Sequence, residues 1–368
     1  MISEKTIAVV VPAYNEETQI ENVVKNMPEF VDRIVVVNDG STDKTLDVLK
    51  QLIVQPENNA VTIKNKLDQI QELKNFNRAE QVLIDKRKKE LGYFPASNIV
   101  NENPENSRII VINLKKNSGV GAAVSRGYKW CLDHGIDCVA KMDGDGQMDP
   151  AELKEICMPI INEEVDYVKG NRLIHQSAWY VIPRIRFLGN SILSIFTKIA
   201  SGYWHVSDTQ TAFSAISYKA LESIPLYKIY KTYGYPNDVL VRLNISFCSI
   251  KEVKVKPIYQ VGENSKMKIG KIIIPILWLL IKGFIKRIWI KYLFKDFHPL
   301  FILYHFSFLL LGLAIPYAIQ IIENFSIKGV KTSNDVLLVF MFLFISGFQS
   351  ILFAMWMDIQ DNNRLYKT

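Results

Sequence analysis

The chain has 368 residues, 49% of them hydrophobic, and a formal net charge of +7, which is room for one large domain with additions. The apolar excess lies after Lys271, so a soluble part stands against a greasy tail, and the basic balance fits nucleic acid and an anionic membrane surface equally. Cys131, Cys138, Cys157 and Cys248 lack C-x-x-C or zinc spacing, which argues against a metal or disulfide scaffold and for reduced core residues on the cytoplasmic side.

The first element is Ile7 to Val11, a β-branched run of the kind buried on both faces of a parallel sheet, ended by Pro12. It is too short for a signal peptide, and polar residues follow it. Asn15 to Met27 carries a helical period with Asn15 as the expected N-cap. Ile34 to Val37 is the second strand, closed by the turn Asn38-Asp39-Gly40-Ser41. Strand, helix, strand, helix at this spacing predicts an α/β fold with a mostly parallel sheet built from βαβ units. The rhythm is lost between Gln55 and Ser107, where Lys64 to Leu91 is charged and helix-prone; a mostly helical insertion at the sheet edge is expected. Its basic runs lack aromatic interleaving, which argues against nucleic acid.

Arg108 to Leu114 resumes the sheet. Asn117-Ser118-Gly119-Val120-Gly121 then opens a helix where backbone N–H groups can approach a phosphate. The run Cys138 to Met142 leads to Asp143-Gly144-Asp145-Gly146-Gln147, the loop around which the chain is organised. Two carboxylates one residue apart at a strand end offer hard oxygen ligands to Mg²⁺ or Mn²⁺ and leave positions open for substrate phosphates. An EF-hand is excluded, because Met148 and Lys154 occupy the positions that need Gly and Glu. An unliganded Asp-Gly turn and a dinucleotide fingerprint around Gly119-Val120-Gly121 are the competing readings; the second lacks its third glycine, which is Val124. Further along come a strand Val165 to Lys169 ending in Gly170-Asn171-Arg172 and a helix from Ile182 to Ala200 with Arg184 and Arg186. Asp208-Thr209-Gln210-Thr211 precedes the strand Ala212 to Ser217, a helix with Asp238 follows, and the last strand is Val253 to Tyr259.

From Ile272 the physics changes. Ile272 to Ile281 is too short to span, whereas Pro299 to Ile322 and Val336 to Met357 each suffice for a hydrocarbon core of roughly 30 Å. Between Ile281 and Lys295, ahead of both, Ile281, Ile285, Ile288, Trp289 and Tyr292 share a helical sector with Lys282, Lys286, Arg287, Lys291 and Lys295 outside it, the pattern of an interfacial helix on an anionic leaflet. The basic cluster places the large domain in the cytoplasm, with Arg364 and Lys367 returned to the same side.

With these motifs placed, the first 270 residues resemble inverting family-two glycosyltransferases of the GT-A fold, in the polyprenyl-phosphate branch that includes dolichol-phosphate mannose synthase. The resemblance rests on Val10-Val11-Pro12-Ala13-Tyr14-Asn15-Glu16-Glu17, Val37-Asn38-Asp39-Gly40-Ser41-Thr42-Asp43, Asn117-Ser118-Gly119 with Gly121, and Asp143 to Gln147 with Asp149-Pro150. It implies a nucleotide diphosphate sugar donor, a polyprenyl phosphate acceptor, a Mg or Mn cofactor, and transfer of a hexose or N-acetylhexosamine. Carried over by position, Pro12, Tyr14, Glu16, Asp39, Asn117, Gly119, Gly121, Asp143 and Gly144 would hold the donor. Asp143, Asp145 and Gln147 would surround the metal, with Asp145 and Asp208 catalytic. Arg172, Arg184, Arg186 and Lys266 would bind the acceptor.

The implied organisation is a catalytic unit over 1–271 with an insertion at about 55–107, and an interfacial segment over 272–297. Transmembrane helices at 298–322 and 335–358 and a cytoplasmic tail at 359–368 complete it. Membrane lipids are expected partners, nucleic acid is not, and a second copy of the chain is left open. A non-catalytic sensor would be marked by loss of the metal carboxylates, which are present. A polysaccharide-extruding synthase would need more spans and a Gln-x-x-Arg-Trp motif, neither of which occurs.

Overall fold

Apolar runs without a polar break become the central strands β1 (Ile7–Ala13) and β2 (Arg33–Asn38), every residue of which is buried. The computed structural model describes residues 2–54, 62–66, 78–182, 184–258, 269–327 and 330–368. Between the two strands lies α1 (Ile20–Lys25), and after them α2 (Thr45–Val54). The helix expected from Asn15 starts at Ile20 instead, because Asn15 sits in the left-handed region at φ 56° and cannot open a right-handed turn. The insertion contributes α3 (Arg78–Glu90) and also β3 (Ser97–Ile99), so its described residues are helical only in part; its residues 55–61 and 67–77 lie outside the described set.

The chain continues through β4 (Ile109–Leu114), α4 (Val120–Asp133), β5 (Cys138–Lys141), α5 (Leu153–Ile161), β6 (Tyr167–Asn171), α6 (Ala178–Val181) and α7 (Arg184–Ser201). Next come β7 (Ser214–Ser217), α8 (Tyr218–Ser223), α9 (Tyr235–Ile245) and β8 (Ile250–Lys254), the last starting three residues before the expected strand and ending five before it. The tail holds α10 (Ile269–Trp289), α11 (Pro299–Ser326), α12 (Asn334–Asn363) and β9 (Tyr366–Lys367). Among the described residues the strands form one sheet in the order β3-β4-β2-β1-β5-β7-β6-β8-β9. Only the pairings β3·β4, β5·β7 and β6·β7 are antiparallel.

Alternation along each strand divides the core into two layers. Val10, Val35, Val37, Ile110 and Ile112 pack with α4, α8 and α9, while Val9, Val11, Val36 and Val111 pack with α1, α2 and α5. Each such side chain contributes about 1.5–3 kcal/mol on full burial, so the central strands are the rigid part from which loops project.

The tail departs from expectation in three ways. The stretches read as a short apolar run and a separate interfacial helix form one helix, α10, continued by a π-helical turn over Ile290–Lys295. Of the five cations assigned to lipid headgroups, Arg287 and Lys291 are fully buried, and Lys295 donates to the carbonyl of Ile245 at 2.8 Å. Arg287 ion-pairs with Asp358 at 2.7 Å, which makes it a structural strut between α10 and the end of α12. The C-terminal tail is part of the sheet domain: β9 pairs in parallel with β8, and Leu365 enters the sheet's core. Both ends of the α11–α12 hairpin are therefore held on the side of the sheet domain.

Candidate functional site

Parallel pairing sets where the loops emerge. β1, β2, β4 and β5 run the same way, and β6, antiparallel to β7 as β5 is, joins them. The residues after these strands, Tyr14, Asp39, Asn117, Asp143 and Arg172, therefore line one edge of the sheet, with Asp208-Thr209-Gln210-Thr211 entering β7 at the same edge. Carboxyl edges of open α/β sheets are where ligands bind.

Side-chain caps tie these loops together. The amide of Asn15 donates to Ser41 Oγ at 3.0 Å, the amide of Thr42 donates to Asn15 Oδ1 at 2.8 Å, and the amide of Glu16 donates to Thr45 Oγ1 at 2.9 Å. Asp39 is buried and accepts from the amides of Ser118 and Gly119 at 2.7 and 2.8 Å. Burial raises its pKa against the pull of those two bonds. Asp39 thus holds the loop that opens α4, and a role toward a nucleoside would be added to that one. Gly121 is required by close approach, because a Cβ there would lie 2.0 Å from the carbonyl oxygen of Tyr230.

The Asp143 loop follows β5 directly. Gly146 takes φ +77°, and a Cβ on Gly144 would press the carbonyl of Pro12 at 3.2 Å, so both glycines serve the turn. Asp143, Asp145 and Gln147 are half-buried. Asp145 Oδ1 accepts from the amide of Gln147 at 3.0 Å, and Asp143 ion-pairs with Lys141. Among the described residues no three His, Cys, Asp or Glu side chains cluster as a metal cage. Two half-buried carboxylates and a glutamine in one short loop are nevertheless a hard-oxygen donor set that suits an octahedral ion taking its remaining oxygens from water and phosphate.

Asp208 is 1% exposed and is enclosed by donors. Arg172 reaches it through Nε at 2.8 Å and Nη2 at 3.1 Å, and the amides of Arg172, Gln210 and Thr211 add bonds of 3.2, 3.3 and 3.2 Å. Burial opposes ionisation, yet the Arg172 guanidinium and Lys169 hold the carboxyl below its usual range. A carboxylate so held is a poor proton acceptor and a good anchor for Arg172. Glu252 supports the loop from β8, accepting from the amides of Ser207 and Asp208 at 3.0 and 3.1 Å.

Arg184 is exposed at the start of α7, Arg186 lies on the same helix with its side chain outside the described residues, and Lys266 is outside them altogether. The sequence reading missed Lys141 and Lys169, both fully buried beneath this edge. A lysine inside an otherwise apolar strand was the signal, since lysine is almost never fully buried unless paired. Burial lowers Lys169 to about 8.

Below the site α7 and α10 pack together, and each leaves an apolar stripe exposed: Leu188, Ile192, Ile195 and Phe196 on one, Ile274, Trp278, Ile281, Ile285 and Trp289 on the other. The adjoining α11 and α12 have 28 and 30 residues, mean hydropathies of 1.9 and 2.4 in their most apolar windows, and only 28% and 6% of those windows buried. Core helices of a soluble protein are mostly buried, whereas these two are long and apolar enough to cross a membrane and leave most of that apolar surface exposed.

The profile described as "Glycosyl transferase family 2" matches residues 8–66 and 57–224, more than half of the chain. The chain belongs to this family, and its fold is the GT-A fold of a glycosyltransferase. Among curated proteins, it is 29% identical to the UDP-N-acetylglucosamine--dolichyl-phosphate N-acetylglucosaminyltransferase of Methanococcus voltae over 70% of this chain and 88% of that one. It is 26% identical to the undecaprenyl-phosphate mannosyltransferase of Micrococcus luteus over 45% of this chain and 68% of that one. Among solved structures, glucosyl-3-phosphoglycerate synthase of Mycobacterium tuberculosis aligns over 77% of this chain and 80% of that one, with a TM-score of 0.46 and 17% identity.

Proposed function

We propose that this protein transfers a sugar from a nucleotide diphosphate donor to a polyprenyl phosphate at the cytoplasmic leaflet, with inversion at the anomeric carbon. The observation that carries the acceptor class is the state of Asp208. A hydroxyl acceptor needs a base to take its proton. The carboxylate at this position is buried, held ionised below the usual range and committed to Arg172. A phosphate oxygen is already anionic and needs only cations to place it, which Arg172, partly exposed beside the site, supplies. The names of the two curated relatives, both of which act on polyprenyl-type phosphates, point the same way.

In this reading Pro12, Tyr14, Glu16, Asp39, Asn117 and the Gly119–Gly121 turn receive the nucleoside and its diphosphate. Asp143 and Asp145, with Gln147 beside them, would hold a Mg or Mn ion whose chemistry is to neutralise the departing diphosphate. The acceptor phosphate oxygen attacks the anomeric carbon from the face opposite the diphosphate. That bond forms as the carbon–oxygen bond to the diphosphate breaks, and no proton moves. Arg184, Arg186 and Lys266 would complete the phosphate's surroundings. The apolar stripes of α7 and α10 set this edge at the membrane surface, where a lipid phosphate lies.

The test is to incubate the purified protein in detergent with labelled UDP-N-acetylglucosamine, UDP-glucose or GDP-mannose and a polyprenyl phosphate. A labelled lipid that releases its sugar in mild acid supports the reading, since a glycosyl phosphate is acid-labile. Label appearing only on hydroxyl acceptors would sink it.

A further inference from the structure

The cation beneath the metal loop is the feature that neither the family nor its motifs account for. Lys141 ends β5 with its whole side chain inside the protein, 1% exposed, and its ammonium meets Asp143, which is 27% exposed. Register places Lys141 opposite Val10 of β1 on one side and Ser214 of β7 on the other. Lys169 of β6 also stands opposite Ser214, and Glu252 of β8 stands opposite Lys169. Cross-strand partners share a face, so a row of charge crosses the sheet just under the site.

The two lysines are anchored differently. Lys169 donates to the carbonyl of Thr211 and so serves the Asp208 loop. Lys141 lies 5.8 Å from the Tyr235 ring and is directed at one of the two carboxylates that a divalent ion would use. An ammonium whose side chain is only 1% exposed keeps its carboxylate partner at hand.

We infer that Lys141 is a resident counter-cation of the metal loop that keeps metal affinity low in the empty site and couples metal binding to donor binding. This rests on the metal-assisted reading above. The formal charges of Asp143, Asp145 and Lys141 leave a single negative charge, so a divalent ion alone makes the site net positive and meets repulsion from Lys141 at short range. A sugar nucleotide brings two diphosphate charges and returns the assembly to net negative. Without Lys141 the two carboxylates neutralise the ion by themselves, and nothing makes it wait for the donor. Once the donor is bound, the same ammonium adds positive charge on the side where the diphosphate departs, which places Lys141 as a positioning residue for the metal–donor complex.

The experiment uses the full-length protein in detergent and reads free Mn²⁺ by electron paramagnetic resonance, with Mn²⁺ alone and with UDP or GDP in separate titrations. For the wild type, Mn²⁺ binds weakly alone and at least tenfold more tightly with the fitting nucleotide. For Lys141→Met, Mn²⁺ alone binds at least tenfold more tightly than to the wild type, and the nucleotide enhancement shrinks by the same factor. Lys141→Arg, which keeps the charge, retains the wild-type coupling. Should Lys141→Met fail to fold, Lys141→Gln is read in the same way. Wild-type or weaker Mn²⁺ affinity in the neutral variant overturns the inference while leaving the metal site standing. A wild type that binds no Mn²⁺ even with nucleotide overturns the metal-assisted reading and this inference together.

Discussion

Arg287 and Asp358 join the end of the α11–α12 hairpin to α10, and the pair can be tested as a unit. Arg287 is fully buried and makes four bonds: to the carbonyls of Ala200 and Ile199 at 3.0 Å each, and to the two oxygens of Asp358 at 2.7 and 2.8 Å. Asp358 accepts further from Tyr292 at 2.8 Å, Asn362 at 2.8 Å and Trp204 at 3.3 Å. Removing one partner of a buried pair strands the other, at a cost of about 3–5 kcal/mol. Asp358→Leu is expected at the top of that range, since it leaves a buried guanidinium with only two carbonyls. Arg287→Met is expected at the bottom, since Tyr292, Asn362 and Trp204 still reach the carboxylate. The double variant removes both charges and is expected to be more stable than Asp358→Leu alone, with a coupling of about 2 kcal/mol or more. Thermal midpoints in detergent, followed by loss of the monodisperse peak in size-exclusion chromatography, give the ranking. A double variant whose losses are the sum of the two single losses would refute the view of this pair as one buried unit.

Asp145→Ala is expected to reduce transfer by about 10²-fold or more with the thermal midpoint unchanged, since Asp145 is half-buried and outside both cores; near wild-type turnover would remove it from the site. In the wild type, the stability Asp208 contributes is present above its unfolded pKa of about 3.9 and is lost as pH falls through the lower folded value. Arg172→Gln removes the main cause of that depression, burial then raises the carboxyl, and activity and stability should begin to fall at a higher pH; an acid limb identical to the wild type in pH-dependent melting would contradict this. Gly121→Ala should cost about 1–3 kcal/mol, because the added methyl overlaps Tyr230 and Tyr235, and a melting curve unchanged by it would show that the loop before α9 is free to move. Truncation after Gly270 is expected to lower the thermal midpoint as well as abolish lipid glycosylation, because Ala200, Val241 and Ile245 lose their cover from Ile276 and Leu280, and β8 loses β9; a truncated protein as stable as the full chain would make the tail a separate module.

The central strands and their loops were legible in the residues because each depended on local information. Val9, Val10, Val11 and Val35, Val36, Val37 are β-branched and unbroken, which only a strand buried on both faces accommodates, and a carboxylate pair closed by glycines marks a strand end wherever it lies. The two long apolar helices of the tail were equally plain, since uninterrupted hydrophobicity over the required length depends on nothing outside the segment. The start of α1 was not legible, because Asn15 is drawn out of the helix by Ser41 and Thr42, partners on the next loop whose position no local pattern encodes.

By itself, then, the sequence determined the α/β class, the mostly parallel sheet, the carboxyl-edge motifs and the two long apolar helices of the tail, all set by short-range periodicity and turn chemistry. Tertiary structure alone decided what the charged residues do. Arg287 and Lys291 have the spacing of a headgroup-facing stripe, yet Asp358, Asp361 and Asn362, some seventy residues later, draw them into the protein. Asp208 has the position of a catalytic carboxylate by resemblance, and the fold pairs it with Arg172 and sets Lys169 beside it. Lys141 has the position of a strand core residue, yet the fold closes over its ammonium and leaves it Asp143 as its partner. The physical reason is common to all three: apolar side chains respond to whether they are covered, which periodicity reports, whereas a buried charge responds to which particular partner the fold brings within reach.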